Sequence, residues 1–202
     1  MPKSRSRKAP RPWSHRSAEV IGRHQDRVRI AVISDTHSRP HPESPRLVAA
    51  LEPDAIFHAG DVGDLEALRP FEPIAPLTVV RGNIDTRAEA LPDSVDIRVT
   101  SQQGQGLAIV LLRHICVYGP KLRADAAKAA QNHDANIVVC GHSHVPFIGR
   151  DRGMLVFNPG SIGPRRFTLP IVFGVLELSA GRANLYHVSC ETGERWTPDA
   201  PA

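Results

Sequence analysis

From Val28 onward the chain alternates between short apolar runs and clusters of polar residues. Six mainly apolar runs each stop at a cluster that contains Asp, His, Asn or Gly; they are Val28–Ile33, Ala55–Phe57, Leu77–Val80, Leu107–Leu112, Ile137–Cys140 and Met154–Phe157. Their nearly continuous apolar character is typical of strands buried on both faces, as in sheets covered by helices. The pattern therefore predicts an α/β fold.

Helical segments are predicted between these runs at Ser44–Glu52, Asp64–Phe71 and Ala124–His133. Their lengths suit the crossovers that connect parallel strands. Two later runs, Ile171–Leu178 and Ala183–Val188, are separated by a short Gly-containing turn and predict an antiparallel hairpin. No linker divides this body, so we expect one domain over residues 27–190, followed by a C-terminal tail over 191–202.

The positive charge of the 202-residue chain is concentrated at its N-terminus. Residues 1–26 contain seven Lys and Arg and two acids, which leaves a net charge of −1 for the rest of a chain whose total is +4. Their three prolines and lack of apolar periodicity predict a disordered basic tail. A nucleic-acid binder should carry cations on its folded surface as well, so we expect no stable nucleic-acid complex.

Cysteine usage and hydropathy bear on the compartment. The three cysteines are widely spaced and form no CxxC pair, which indicates a reducing, cytoplasmic location. No apolar stretch approaches the roughly 18 residues of a membrane span, so no membrane partner is expected. The sequence leaves open whether the protein forms a homo-oligomer.

Polar residues with metal-binding chemistry follow the predicted strands. In chain order they are Asp35-Thr36-His37, Gly60-Asp61, Gly82-Asn83, His114, Gly141-His142-Ser143-His144 and Asn158-Pro159-Gly160-Ser161. Each motif alone is more typical of a turn or a surface loop than of a metal site. Their joint occurrence at strand ends favours a shared site, because ligands of open α/β sheets bind beyond the carboxyl ends of the strands.

The side chains in these clusters form a nitrogen and oxygen donor set. Two carboxylates, one amide and four imidazoles without a thiolate suit Mn²⁺, Fe, Zn²⁺ or Ni²⁺. Seven ligands are too many for one ion that must also leave room for a substrate. A pair of ions about 3.5–4 Å apart that shares one carboxylate would use all seven, and such pairs catalyse in-line displacement at phosphorus.

The combined motifs resemble those of the calcineurin-like metallophosphoesterases. The residues that carry the resemblance are Asp35-x-His37, Gly60-Asp61-x-x-Asp64, Gly82-Asn83-x-Asp85, His114 and Gly141-His142-x-His144. The short chain and the Asn158–Ser161 element are most similar to the small single-domain bacterial and archaeal phosphodiesterases. The resemblance spans roughly Val28 to Val188 and implies an αββα sandwich of two mixed β-sheets flanked by helices.

The resemblance also implies a role for each ligand. One ion would be held by Asp35, His37, Asp61 and His144, and the other by Asp61, Asn83, His114 and His142. Asp61 would bridge the two ions, and Asp61, Asn83 and His142 would also take part in catalysis. Water between the ions, with its pKa lowered by them, would be the attacking hydroxide. Mn²⁺ is the expected ion, with Fe, Zn²⁺ and Ni²⁺ as alternatives.

The sequence departs from the wider family at two places. Most members have a histidine after the Asn, thought to protonate the leaving group, whereas Ile84 stands there in this chain. His114 lies within Arg113-His114-Ile115, where Thr-His-Gly is expected.

Further residues are candidates for supporting roles. Asp64 and Asp85 could orient ligand histidines, although Asp64 could equally cap a helix. His41 could face the substrate from its loop. Arg165, with its neighbour Arg166, could clamp a phosphate oxygen or form a structural ion pair.

The functional prediction is a metal-dependent phosphoesterase that acts on a small phosphodiester. The alternative is a protein-interaction scaffold of the Vps29 type, which has the same fold without a complete ligand set. The full ligand set favours catalysis, because clustering so many buried polar groups is costly unless they bind something.

Overall fold

A computed structural model describes residues 12–24 and 26–198 of the chain. These residues form fourteen strands, two α-helices and one 3₁₀ helix at Leu65–Leu68. In chain order the elements are β1 (His15–Ile21), β2 (Arg27–Ile33), α1 (Ser44–Ala50), β3 (Ala55–His58), β4 (Leu77–Val79), β5 (Ser94–Thr100), β6 (Gly106–Arg113), β7 (Val117–Tyr118), β8 (Lys121–Leu122), α2 (Ala124–Asn132), β9 (Ile137–Val139), β10 (Phe147–Asp151), β11 (Met154–Asn158), β12 (Val172–Ser179), β13 (Arg182–Ser189) and β14 (Arg195–Trp196).

Two six-stranded mixed sheets pack face to face. One has the order β1-β5-β6-β9-β11-β10 and the other the order β14-β13-β12-β2-β3-β4, while β7 and β8 form a separate hairpin. The core between the sheets contains Ile30, Val32 and Phe57 from one sheet and Ile97 and Val110 from the other, all fully buried. Burial of these side chains supplies the main driving force for the association of the sheets.

Helices cover the outer face of each sheet. The alanines of α2 pack on Leu111 and Val138 of the first sheet, and Val48 of α1 packs near Ile33 and Ile56 of the second. Because β2 and β3 are largely buried on both faces, their sequences are mainly apolar, with Arg29 as the polar residue inside the predicted run Val28–Ile33. The predicted αββα sandwich is confirmed.

Parallel pairing brings the polar clusters to one edge. β2, β3 and β4 are parallel neighbours, as are β6, β9 and β11. The carboxyl ends of parallel strands lie at the same edge of a sheet. The loops that follow β2, β3, β4, β6 and β9 therefore converge, and these loops carry the predicted metal ligands.

The N-terminal segment departs from the prediction of a disordered tail over residues 1–26. His15–Ile21 forms β1, which pairs in parallel with all seven residues of β5. Its side chains are mostly polar, with Val20 buried in the intersheet core, so the strand is held at the sheet edge by backbone hydrogen bonds and by side-chain hydrogen bonds of His15 and Ser17 to β5. Residues 1–11 of the predicted tail lie outside the described residues.

Removal of β1 is expected to lower the melting temperature. A protein that begins at Arg27 loses the pairing with β5 and exposes the core around Val20, which should cost at least about 2 kcal/mol. For a domain of this size that corresponds to a drop of about 4–8 °C. Thermal unfolding of proteins that begin at Pro12 and at Arg27 measures the joint contribution of β1 and of the neighbouring Trp13 and Arg23 contacts. Equal melting temperatures would show that the pairing adds no stability.

The C-terminal segment also extends the sheet beyond the predicted domain. Arg195–Trp196 forms β14, an edge strand that pairs with β13, so part of the predicted tail over 191–202 is ordered. Neither α-helix in the described part of the chain has the length and apolar character needed to cross a bilayer. The three cysteines are buried and unpaired.

Candidate metal centre

Two groups of potential metal ligands meet at the carboxyl edge of the strands. The first contains Asp35, His37 and His144. His37 Nε2 lies 3.2 Å from His144 Nε2, and His144 Nε2 lies 3.3 Å from Asp35 Oδ1. Three donor atoms this close, from loops after two different sheets, converge on a point where one cation could contact all of them.

The second group contains Asp61, His114 and His142, with Asn83 among them. Asn83 Oδ1 lies 3.0 Å from His114 Nε2 and 2.8 Å from His142 Nδ1. His114 Nδ1 donates to the backbone oxygen of Ala59 at 2.7 Å, which directs Nε2 at the group. A backbone carbonyl that fixes the tautomer in this way is a common support for metal-binding histidines.

Asp61 lies between the two groups. Its Oδ1 is 3.2 Å from His114 Nε2, and its Oδ2 is 3.8 Å from His37 Nε2. Each carboxylate oxygen therefore faces a different group, which is the arrangement that a bridging ligand requires. The structure brings together all seven residues that the sequence singled out as ligands.

An unsatisfied buried oxygen supports cation binding at the first group. Asp35 is fully buried, and its Oδ2 accepts hydrogen bonds from Ser34 Oγ at 2.6 Å and from the His142 N–H at 3.1 Å. Its Oδ1 accepts no hydrogen bond among the described residues, because His144 Nε2, although 3.3 Å away, is not aligned to donate to it. A buried oxygen without a partner is costly, and a cation at this point would remove that cost.

The carboxylates of the two groups have opposite pKa shifts. Burial raises the pKa of Asp35 to about 6, although His114 opposes the shift. Burial would also raise the pKa of Asp61, but the hydrogen bond and charge of His114 outweigh it and lower the pKa to about 2. Asp61 is therefore ionised at any physiological pH, as a bridging ligand must be.

Three of the ligand histidines are held neutral. Burial, followed by the charge of Arg166, lowers the pKa of His37 and lowers that of His144 to about 4. Burial and then His114 lower the pKa of His142. For His114, burial is outweighed by the hydrogen bond to Asp61 and by the charge of Asp35, so its pKa is raised. Neutral imidazole is the form that binds metal.

The ligand loops have an unusual backbone. Five of the seven ligand residues have a positive φ between 47° and 71°; they are Asp35, His37, Asp61, His142 and His144. This left-handed region disfavours residues other than glycine, and its use by non-glycine residues clusters at functional sites. This backbone conformation turns each loop sharply after its strand and directs the ligand side chains toward the two groups.

Two glycines allow these loops to pack together. A Cβ atom on Gly82 would lie 2.1 Å from Asp61 N, and one on Gly141 would lie 2.0 Å from Ser34 Oγ and 2.7 Å from Asp35 Oδ2. No side chain fits at either position without displacing a ligand. The glycines in the sequence motifs are therefore explained by contact between neighbouring loops.

Asp85 and the Asn158–Ser161 element support the ligands through the backbone. Asp85 accepts hydrogen bonds from the N–H groups of Val62, Gly63 and Gly82, at 3.2, 2.8 and 2.8 Å, and so joins the loops of Asp61 and Asn83. Asn158 Nδ2 donates to Gly141 O at 2.8 Å, and Ser161 Oγ donates to Asp35 O at 2.9 Å.

The sequence suggested that Asp85 orients a ligand histidine directly. Its hydrogen bonds go instead to backbone N–H groups, so Asp85 positions the ligand loops. Asp64 caps the 3₁₀ helix, because its side chain accepts from the Glu66 N–H at 3.1 Å. The structure thus gives Asp64 the second of the two roles considered for it.

The candidate substrate-binding residues are placed differently from expectation. Arg165 pairs with Glu191 at 2.5 Å and donates to Leu169 O, which is a structural ion pair on the surface. Its neighbour Arg166 extends to the ligands, with Nη2 3.1 Å from His37 Nε2. His41 Nδ1 accepts from the Glu43 N–H at 3.3 Å at the start of α1, and no described contact joins it to a ligand.

The fold and the donor set together define an α/β protein with two adjacent candidate metal-binding groups at its carboxyl edge. Residues 28–181 match the calcineurin-like phosphoesterase superfamily domain. The chain belongs to this superfamily of metal-binding phosphoesterases.

Known relatives and solved structures agree with this assignment. A probable metallophosphoesterase of Methanothermobacter thermautotrophicus is 32% identical over 152 residues, which cover 71% of this chain and 82% of the relative. A structure described as a novel archaeal phosphodiesterase has a TM-score of 0.62 and 17% identity, with coverage of 80% and 99%. Vps29 from Entamoeba histolytica complexed with Zn²⁺ has a TM-score of 0.65 and 20% identity, with coverage of 84% and 96%. At these identities the two structures demonstrate the fold alone.

Proposed function

We propose that this protein is a phosphodiesterase that uses two divalent ions, with Mn²⁺ as the preferred ion, to hydrolyse a small phosphodiester. The observation that carries the proposal is the position of Asp61, whose two carboxylate oxygens face separate groups of donors. A single-ion site would need neither the second group nor a bridging carboxylate. When bound, two ions at such a site lower the pKa of water and polarise the phosphoryl oxygens.

The protein's own residues would hold and orient the reacting groups. Neutral His37, His142 and His144 present lone pairs, and ionised Asp61 fixes the spacing between the two groups. Arg166 adds a planar cation at the rim, where its guanidinium could donate to a phosphoryl oxygen. In the described part of the chain, Arg166 is the one arginine whose guanidinium lies within hydrogen-bond distance of a ligand nitrogen. A single cation at this place suits a diester, because a phosphodiester carries one negative charge.

The test is hydrolysis by metal-stripped protein after reconstitution. With Mn²⁺ we expect turnover of bis(4-nitrophenyl) phosphate, with 4-nitrophenyl phosphate as the poorer substrate. Parallel reconstitution with Fe²⁺, Zn²⁺ and Ni²⁺ ranks the ions. A preference for the monoester would contradict the diester assignment while leaving the hydrolase assignment intact.

The second candidate function is a protein-interaction scaffold, which the likeness to Vps29 favours. Because that neighbour is itself described as complexed with Zn²⁺, metal binding alone does not separate the two functions. Turnover does: failure of every tested ion to restore hydrolysis of either ester would support the scaffold.

Replacement of Arg166 by alanine is expected to raise KM for the diester about 10-fold or more, with a smaller change in kcat. The reason is loss of a charged hydrogen bond to substrate, worth about 1.5–3 kcal/mol. Arg165→Ala is the matched control, because it removes the adjacent guanidinium, which pairs with Glu191. Steady-state kinetics of both variants measure the effect. An equal rise in KM for both variants would mean that general surface charge, and not a specific contact, binds the substrate.

A further inference from the structure

A pocket of about 270 Å³ opens beside the second ligand group. It is bordered by the ligands Asn83 and His114 and extends away from them between Ile115, Arg113, Arg123 and Trp13. Anything bound at the metal centre could therefore extend an arm into this pocket. Its walls combine an aromatic ring, aliphatic surface and guanidinium groups.

Trp13 and Arg113 form a stacked ledge in the pocket. The Arg113 guanidinium lies over the Trp13 ring, with Cζ 4.6 Å from the ring centroid, and 59% of Trp13 remains exposed. Asp125 holds Arg113 in place through a 2.5 Å ion pair. Arg113 Nε is buried and has no hydrogen-bond partner among the described residues. Aromatic rings and guanidinium planes of this kind stack planar ring systems.

The ledge is fixed to the metal centre through its backbone. The N–H of Ser14, next to Trp13, donates to Asp93 Oδ2 at 2.8 Å, and the Asp93 N–H donates to Ser14 O at 2.9 Å. Arg81 in turn binds Asp93 Oδ1 and is followed directly by Gly82 and the ligand Asn83. Trp13 is thus held at a set distance from a ligand of the second group.

Part of the pocket lies outside the family motif. Trp13 precedes residues 28–181, which match the superfamily domain, so the segment before the domain supplies the ring. Arg113 and Ile115 flank His114 at the two positions where the sequence departs from Thr-His-Gly. The same departures that lacked an explanation at the sequence level therefore form one wall of the pocket.

We propose that this pocket is a specificity subsite for phosphate esters that carry a planar aromatic ring, which stacks on the Trp13–Arg113 ledge while the phosphate reaches the metal centre. Arg123, about half exposed at the rim, shares Asp125 with Arg113, so these three side chains together leave one net positive charge beside the pocket for an anionic ligand. The proposal rests on the proposed function for its choice of phosphate esters. It assigns to the N-terminal segment a role in substrate choice.

The first experiment compares two stable analogues, phenylphosphonate and cyclohexylphosphonate, as competitive inhibitors of diester hydrolysis. They match in size and charge and differ in having a flat or a saturated ring. A stacked ring contributes at least about 5-fold in affinity, so the wild-type protein should favour phenylphosphonate by that factor. Trp13→Ala should bring the ratio of inhibition constants below about 2, and Trp13→Phe should retain most of it. A wild-type ratio near 1, or a ratio unchanged by Trp13→Ala, would overturn the proposal.

The second experiment does not depend on turnover. The chain contains two tryptophans, so the Trp196→Phe variant leaves Trp13 as its sole tryptophan. Phenylphosphonate, added in the presence of Zn²⁺, should change Trp13 fluorescence saturably, and inorganic phosphate should not. If the fluorescence responds but no ester is hydrolysed, the subsite is supported and the proposed function is wrong. If diesters are hydrolysed but the fluorescence does not respond, the subsite proposal alone is wrong.

Discussion

Asp61→Ala is expected to lose both bound ions and to lower kcat for diester hydrolysis by at least about 10³-fold. The two oxygens of Asp61 face different ligand groups, so one substitution weakens both. Loss of the several kcal/mol that metal ions contribute to the transition state corresponds to a rate loss of this size. Elemental analysis and turnover, measured on the same preparation, provide the test.

Asp64→Ala is the matched control for this variant. It removes a carboxylate from the same loop, but Asp64 is exposed and its side chain caps the 3₁₀ helix. We expect a loss of about 0.5–2 kcal/mol in the free energy of unfolding, with metal content unchanged. Wild-type turnover by Asp61→Ala, or loss of only one ion per chain, would contradict the bridging role.

The rate of hydrolysis is expected to fall steeply as the leaving-group pKa rises. Expulsion of a basic alkoxide needs a proton, and a positioned general acid contributes about 10²–10⁴-fold to such a step. Ile84 occupies the position of the histidine found in the wider family, and its side chain carries no proton that could be donated. The Ile84 N–H donates to Asp61 Oδ1 at 3.1 Å. Ile84 therefore lies at the candidate metal centre, although its side chain cannot act as a general acid.

The measurement is kcat/KM for a series of diesters graded in leaving-group pKa, with wild type, Ile84→His and His41→Ala. Ile84→His should flatten the dependence for basic leaving groups. His41→Ala should leave the slope unchanged, because the His41 ring bonds locally to the backbone at the start of α1. A shallow slope in the wild type would show that a general acid is present and would contradict this prediction.

Much of the fold was predictable because its central strands are buried on both faces. Runs such as Val28–Ile33 have no polar alternation to obscure them, and each ends at residues whose chemistry marks a turn. Once those strands are taken as parallel, the convergence of their following loops is a geometric consequence. The ligand cluster could therefore be assembled from chain order alone, whereas the distances between its atoms required coordinates.

The parts that were not predicted lie at sheet edges or on the surface. β1 has mainly exposed polar side chains, and it is held by backbone pairing and side-chain hydrogen bonds to a strand about 80 residues away, which composition does not reveal. β5 alternates buried Val95 and Ile97 with more polar neighbours, so its apolar residues recur with a period of two and form no continuous run. Arg165 and Arg166 are adjacent in sequence, and only the local backbone decides which of them faces the ligands.

The left-handed backbone at five ligand positions lowers the folding stability of the protein while it places the candidate ligands. Each such residue costs about 1–2 kcal/mol relative to a relaxed conformation, and somewhat less where it is Asp. Set against a net stability of about 5–15 kcal/mol for a typical domain, five of them are a large burden. A lineage that used this sandwich only as an inert platform would gain stability by accepting glycine there. The Asp and His side chains at these positions are the candidate metal ligands, so the proposed metal binding, and not folding stability, accounts for residues other than glycine there.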